Sequence, residues 1–308
     1  MVGENAHVAV LMGGWSSERD VSLSSGAACA QALRSEGFQV SEIDVARNLA
    51  DQLHKIKPDV CFNALHGPFG EDGCVQGLLE VLGIPYTHSG VMASSVAMNK
   101  LMTKKLLKEA GVPVARDKVV MRAEAALGHI MTPPYVVKPI ADGSSFGVFV
   151  VPVGADAPPG AEMLAAGGEN DLMMIEEFVP GLELTCAVLG DRALDVVEIR
   201  PTGGHEFYDF GAKYEAGGSE HILPAEISSN IYQFIQKWAL TAHQVLGCRG
   251  VSRTDFRFDP KTETVVCLEV NTQPGMTETS LVPEIAERAG WNFQELVRWI
   301  VEDASCNR

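Results

Sequence analysis

The first third of the chain alternates short apolar runs with amphipathic ones, and that alternation restricts the fold more than any other property of the sequence. "HVAVLM", "FQVSEIDV" and "DVCFNALHG" read as buried strands, while "SLSSGAACAQALRSEG", closed by Gly37, and "EDGCVQGLLEVLG" read as helices. Strands joined through helices lie parallel, so their C-terminal ends gather along one edge and carry the ligand loops. Two such loops, "GGWSSERDVS" and "NALHGPFGEDG", present Glu18 and His66. The paired glycines of the first are half of a dinucleotide fingerprint, and without the rest of G-x-G-x-x-G they give a nicotinamide site no support.

The pattern then changes. "SSVAMNKLMTKKLLKEAG" reads as one long amphipathic helix ending at Gly111, and strand pairs follow it. "PPYVVKPIADGSSFGVFVVPV" is two strands around a glycine- and serine-containing loop, and "DLMMIEEFVPGLELTCAVLG" is two more joined at Pro180-Gly181. The expected class is α/β at the start and α+β later, divided into residues 1–95, 96–185 and 186–308. A length of 308 residues with 46% hydrophobic content supplies a core for two or three domains. Twenty-four basic against 40 acidic residues leave a net charge of −16, which excludes nucleic acid and anionic membrane as broad partners. A phosphate ligand must be held by local cations. The six-residue apolar run near the start is too short for a signal peptide or a membrane span, so a cytoplasmic protein is expected. Seven cysteines without a CxxC pair read as reduced core thiols.

In "CLEVNTQPGMTETS" an apolar strand ends with Glu269 and Asn271 two positions apart. Upstream, "VSRTDFRF" is separated from "TVVCLEVN" by "DPKTE", which is turn chemistry, so the two segments are expected to pair as an antiparallel hairpin. Alternate residues share a face: Phe256 and Phe258 go with Val266, Leu268 and Val270, while Arg253, Asp255 and Arg257 go with Glu269 and Asn271. A loop of three or five residues sets Asp255 across from Glu269. Opposed carboxylates about 5 Å apart destabilise a sheet unless a positive charge lies between them. A divalent cation is one solution, and these hard oxygen donors suit Mg²⁺. A solvated face balanced by Arg253 and Arg257 is the other.

Lys138 ends the apolar strand "YVVKP", and the next loop, "IADGSSFG", offers backbone N–H groups and the hydroxyls of Ser144 and Ser145. Such a flap lies over phosphates while a lysine holds their charge, with a flexible hairpin turn as the plain alternative. Lys100, in the preceding helix, reads as a surface lysine or a phosphate ligand. "MMIEEFVPG" leads Glu176, Glu177, Phe178 and Val179 out of a strand, where backbone can read an adenine edge, and Glu183 can accept from a ribose hydroxyl.

Taken in order, "VLMGGWSSERDVSL", "ALHGPFGEDGCVQGLLE", "SGVMASSVAMNK", "VVKPIADGSSFGV", "YDFGAKY", "SRTDF" and "LEVNTQPGMTETSLVP" resemble bacterial D-alanine:D-alanine ligases of the ATP-grasp superfamily, from about Ala6 to Ile300. The resemblance implies three domains with ATP sandwiched between the second and third, two Mg²⁺ or Mn²⁺ ions, a homodimer and a place in peptidoglycan precursor synthesis. It implies ATP-dependent joining of two D-alanines through an acyl phosphate, releasing ADP and phosphate. By position it implies Lys100 and Lys138 on the ATP phosphates, Glu176, Glu177, Phe178, Val179 and Glu183 around adenosine, and Asp255, Glu269 and Asn271 on metal. Arg253 falls to the acyl phosphate and oxyanion, Glu18 and His66 to the first D-alanine, and Gly275, Ser280 and Leu281 to the second. Ser144 and Tyr214 link with Glu18 in a hydrogen-bonded triad, with Ser144 and Ser145 over phosphate and Lys213 near the γ-phosphate. Tyr214 resembles the dipeptide-forming members rather than the branch that takes D-lactate; a non-catalytic ATP-binding sensor of the same fold is a further alternative. The chain departs from the family pattern at Ile140-Ala141, at Gly211 and at Gln273, which stands where a small residue precedes Pro274.

Overall fold

Strands β1 (His7–Met12), β2 (Gln39–Asp44) and β3 (Val60–Asn63) run parallel in the order β2-β1-β3. The central strand is apolar and buried from Val8 onward, as a parallel strand covered on both faces requires. The computed structural model describes residues 3, 5–141, 147–203, 217–277 and 280–307. Helix α1 (Arg19–Ser35) begins directly after the glycine loop, ahead of the expected start at residue 22. It lies so close to β1 that a Cβ on Gly26 would fall 2.5 Å from the Cβ of Met12. Helices α2 (Leu49–Ile56) and α3 (Cys74–Leu82) complete the alternation.

The single helix expected over 94–111 is two helices, α4 (Val91–Met98) and α5 (Lys100–Glu109). Asn99 separates them with an extended ψ of 96°, and its side chain accepts from the Met102 N–H at 3.1 Å. An asparagine that caps a new helix gives up its place in the old one. The neighbouring N–H, of Lys100, donates to the carbonyl of Ile140 at 2.7 Å. Lys100 therefore starts α5 beside the end of the strand that carries Lys138.

Strands β4 (Asp117–Met121), β5 (Tyr135–Pro139), β6 (Phe149–Val151) and β7 (Leu172–Glu177) form an antiparallel sheet in the order β4-β7-β5-β6, backed by α6 (Arg122–Leu127) and α7 (Gly160–Ala165). The expected β5-β6 hairpin forms, with Tyr135 opposite Val151. The second expected pair does not. Strand β8 (Leu182–Leu189) crosses from β7 into another sheet, made with β9 (Arg192–Pro201), β10 (Ser219–Ile222), β11 (Val251–Asp259) and β12 (Thr264–Asn271) in the order β10-β9-β8-β11-β12. Gly181, at φ 98°, turns against the end of β11, where a Cβ would fall 2.3 Å from the carbonyl oxygen of Phe258. The chain is thereby committed to β11 and does not return along β7.

Helix α8 (Ser229–Leu246) covers this second sheet, and α9 (Leu281–Arg288) and α10 (Phe293–Glu302) follow. One apolar core joins Val8, Val10 and Phe62 of the parallel sheet and Leu33 of α1 to Ala187, Val197 and Val251 of the five-stranded sheet and to Leu281, Ile285 and Ile300. The four-stranded sheet keeps a separate core built from Ala125, Tyr135, Val137, Val151, Met163, Met173 and Ile175. Cys29, Cys61, Cys186, Cys248 and Cys267 are buried free thiols, as expected; Cys74 is exposed. Among the described residues no helix is long and apolar enough to cross a membrane.

Candidate active site

The β11-β12 hairpin makes the charged wall of the site. Asp259 pairs with Thr264, so the loop is the four residues Pro260, Lys261, Thr262 and Glu263, where the sequence reading required three or five. A straight ladder from that loop would put Leu268 opposite Asp255. A bulge takes up one residue there and restores Glu269 opposite Asp255 and Asn271 opposite Arg253. Nearer the loop the faces differ from expectation: Cys267 and Val265, not Leu268 and Val266, oppose Phe256 and Phe258 and share their core.

Cations of the protein itself meet these two carboxylates. Arg253 forks onto Asp255, Nε to Oδ1 at 2.8 Å and NH2 to Oδ2 at 2.7 Å, and Lys100 Nζ lies 3.7 Å from Glu269. Thr185 donates to Asp255 at 2.6 Å and the Asn271 amide donates to it at 3.0 Å. Arg257 takes no part in this balance. It donates to the Val179 carbonyl at 3.1 Å and to Glu183 at 3.3 Å and lies over the Phe178 ring, 5.6 Å from its centroid. Three residues assigned to adenosine are thus gathered around one guanidinium.

On the four-stranded sheet, Glu176 is opposed by Asp117 on β4 and by Val136 on β5, and Lys138 lies two residues from Val136 on the same face. Here the cation between opposed carboxylates is Lys104 of α5, which reaches Glu176 at 2.7 Å, Asp117 at 2.9 Å and the Ala115 carbonyl at 2.8 Å. Lys138 takes the other Glu176 oxygen at 3.0 Å. Burial opposes the charge on Lys138, but Glu176 outweighs it and the ammonium pKa stands above the ordinary lysine value. Burial opposes the Glu176 charge as well, and Lys138 and Lys104 together hold its pKa below the usual range. The Glu176 side chain is therefore engaged between two lysines, which leaves only its backbone open to the adenosine contact expected of it. Glu177 points to the opposite face and pairs with Arg116 at 2.9 Å.

Loops of the parallel sheet supply the third wall. Gly67, at φ 72°, comes so near Glu18 that a Cβ would fall 2.7 Å from Glu18 Oε2, and its N–H donates to Glu71 Oε1 at 3.0 Å. Burial and then the charge of Glu18 push the Glu71 carboxyl up to about 8; Glu269 adds to this shift and Lys100 opposes it, so the loop lies within the field of the hairpin wall. His66 is buried, with Nε2 3.4 Å from Ser25 Oγ and its carbonyl accepting from Ser16 Oγ at 2.7 Å. Burial and then Arg253 lower its pKa to about 4, which keeps the ring neutral at neutral pH. Ser280 precedes α9; its hydroxyl accepts from the Thr277 N–H at 3.0 Å, and a Cβ on Gly275 would come within 3.2 Å of it. Leu281 packs into the shared core.

Ser144, Ser145, Lys213 and Tyr214 lie outside the described residues. Among those described, no three His, Cys, Asp or Glu side chains gather as a metal site; the candidate donors are two carboxylates and one carboxamide. Sequence reasoning missed Lys104 and Glu71. Lys104 carried one usable signal, its i+4 spacing from Lys100 on a helix, where a like-charge pair calls for anions nearby. Glu71 sits beside Asp72 in a glycine loop, and no spacing separates the two.

Residues 46–89 match a family model described as D-ala D-ala ligase N-terminus, and residues 94–302 match one described as D-ala D-ala ligase C-terminus. A protein of Chelativorans sp. (strain BNC1) named D-alanine--D-alanine ligase is 60% identical over 305 residues, covering 98% of this chain and 99% of its own. D-alanine--D-alanine ligase B of Mesorhizobium japonicum is 60% identical over 308 residues, covering 99% and 100%. Among solved structures, D-alanine--D-alanine ligase from Bacillus anthracis complexed with ATP is similar at a TM-score of 0.81 and 27% identity, with 97% of each chain covered. The VanG D-Ala:D-Ser ligase from Enterococcus faecalis gives 0.78 at 28% identity, covering 97% of this chain and 99% of that one.

Proposed function

The chain belongs to the D-alanine:D-alanine ligase family, and from that premise we propose that it joins two molecules of D-alanine with ATP, releasing D-alanyl-D-alanine, ADP and phosphate. It is a ligase of the ATP-grasp fold, with ATP as co-substrate. The observation that carries this reading is the convergence of Lys100, Arg253 and the opposed Asp255 and Glu269 opposite the loops bearing Glu18 and His66.

A free carboxylate is a poor acyl donor. An oxygen of the first D-alanine carboxylate therefore takes the γ-phosphoryl group, forming a C(O)–O–P linkage as the bond from γ-phosphorus to ADP breaks. The amine of the second D-alanine attacks the acyl carbon, the C–N bond forms, phosphate leaves with the C–O electron pair, and the amine gives up a proton. Lys100 and Lys138 balance phosphate charge, with Lys138 held ready by Glu176. Arg253, oriented by Asp255, faces its donors to the oxygen that gains charge in the tetrahedral species. Glu18 takes the first ammonium, and a neutral His66 beside it adds no competing positive charge. Ser280 and the start of α9 receive the second carboxylate, as helix N-termini receive anions. Ser144 and Tyr214 complete the triad with Glu18, with Ser145 on phosphate and Lys213 near the γ-phosphate. Phe178, Val179 and Glu183 border adenosine.

Asp255, Glu269 and Asn271 fit a hard divalent cation, because two carboxylates and a carboxamide oxygen are a donor set that Mg²⁺ completes with phosphate oxygens. When bound, Mg²⁺ or Mn²⁺, two ions in this reading, neutralises charge on the transferring phosphoryl group. The three sheets favour a division into three domains, with the second boundary between β7 and β8 in place of residue 185. A homodimer in the cytoplasm, supplying peptidoglycan precursors, completes the proposal.

The test is phosphate release from ATP and Mg²⁺ with D-alanine, L-alanine, or D-alanine plus D-lactate, with products identified by mass. D-alanyl-D-alanine from the D-isomer alone is expected. A depsipeptide would move the assignment to the D-lactate branch, and ATP binding without turnover would favour the sensor; relatives near 60% identity named D-alanine--D-alanine ligase do not favour either.

A further inference from the structure

Gln273, a departure from the family pattern with no task in the mechanism, is buried where two parts of the fold meet. Its Oε1 accepts from Asn63 Nδ2 at 2.6 Å, and its Nε2 donates to the carbonyl of Leu65. Asn63, at the end of β3, also donates to the Gly70 carbonyl at 2.9 Å and accepts from the Leu65 N–H at 3.2 Å. Gln76 donates to the same Gly70 carbonyl at 3.0 Å. The network therefore closes on the turn of residues 63–70, which carries His66 and the Gly67 whose missing Cβ leaves room for Glu18. On its other side, Gln273 begins the segment that carries Gly275 and Ser280. Three residues on, the Met276 N–H donates to Ser25 Oγ at 3.4 Å, and that same hydroxyl lies 3.4 Å from His66 Nε2.

We infer that Gln273 is a positioning residue that sets the spacing between the two D-alanine subsites by tying the 63–70 turn to the 273–280 segment. The inference rests on the ligase reading above. A buried amide that must satisfy Asn63 and Leu65 together does so at one separation of the two segments, because leaving either group unpaired in the interior is costly. A small residue at 273 would reach neither partner. The tie touches no ATP-binding residue, so its loss acts on D-alanine and spares the nucleotide.

Three variants separate positioning from filling: Gln273→Met keeps volume and loses both hydrogen bonds, Gln273→Glu keeps the acceptor and sets a carboxylate against the Leu65 carbonyl, and Gln273→Asn is a mild change that retains an amide with shorter reach. Steady-state kinetics are measured with D-alanine and ATP varied in turn, alongside thermal melting. Gln273→Met is expected to raise KM for D-alanine about ten-fold while KM for ATP stays within about two-fold. Gln273→Glu is expected to match or exceed that rise, and Gln273→Asn to shift the same constant in the same direction. A folded Gln273→Met or Gln273→Asn protein with unchanged KM for D-alanine overturns the inference, as does a parallel rise of both KM values. If the wild-type chain makes no dipeptide, the ligase reading fails separately. Amide exchange at Leu65, His66 and Gly67 then tests the tie itself: faster exchange in Gln273→Met supports it, and unchanged exchange overturns it.

Discussion

Glu71 is a carboxyl that the fold keeps protonated near neutral pH, through partial burial and the nearby charge of Glu18. Its folded pKa of about 8 stands above the ordinary 4.5, so the folded chain holds a proton that the unfolded chain releases between those values. Stability must then fall as pH rises through that window. Glu71→Gln is expected to raise the melting temperature above pH 8, with the gain vanishing near pH 4.5; a constant difference across pH would contradict this. Lys104→Met leaves Asp117 and Glu176 opposed without the ammonium that joins them. The expected loss is about 3–5 kcal/mol, read by denaturant unfolding, with part recovered by adding Glu176→Gln; in that double variant KM for ATP rises as well, because Lys138 loses its carboxylate partner. Glu269→Ala is expected to keep the fold by circular dichroism and to lower kcat by on the order of 10²–10³-fold. Of these residues Glu269 was legible, because strand alternation fixes a face and a paired acid on that face demands a cation. Lys104 acts on Asp117 and Glu176, distant in sequence, with its spacing from Lys100 as the one local sign, and nothing local marks Glu71.

At the scale of elements, patterns revealed kinds and hid junctions. The amphipathic period runs without interruption through residues 94–111, so Asn99 looked like one more polar position; its cap on the Met102 N–H and the Lys100 to Ile140 hydrogen bond together make it a break. Asn99→Ala is expected to cost about 1 kcal/mol through the lost cap. It should also raise KM for ATP, because a helix continued from α4 re-aims Lys100; nucleotide titration beside a melting curve separates the two effects. Pro180-Gly181 announced a turn, but turn chemistry does not name the strand that follows as a partner, and β8 went to β11. The Asp255–Glu269 pairing was reached from the sequence with the wrong loop length. An even loop and a bulge at Leu268 add up to the register that an odd loop would have set.

Across the whole molecule, the apolar cores divide the chain differently from its order. The parallel sheet, the five-stranded sheet and the last helices share one core, whereas the four-stranded sheet has its own. Hydrogen exchange is accordingly expected to find a lower opening free energy for β4, β5, β6 and β7 than for β1, β8 and β11. A fragment of residues 1–95 is expected to lack a cooperative melt, since Val8, Val10, Leu33 and Phe62 would lose the partners that cover them. The shared core also carries the segments proposed for the two D-alanines, through Met276 and Leu281 on one side and α1 with β3 on the other. Restricting two small amino acids to one mutual orientation is an entropic burden that a bimolecular condensation in solution meets at every encounter. In the proposed ligase reading, the frame that defines this orientation is assembled when the chain folds, so the burden falls once in the lifetime of a protein molecule rather than at each turnover.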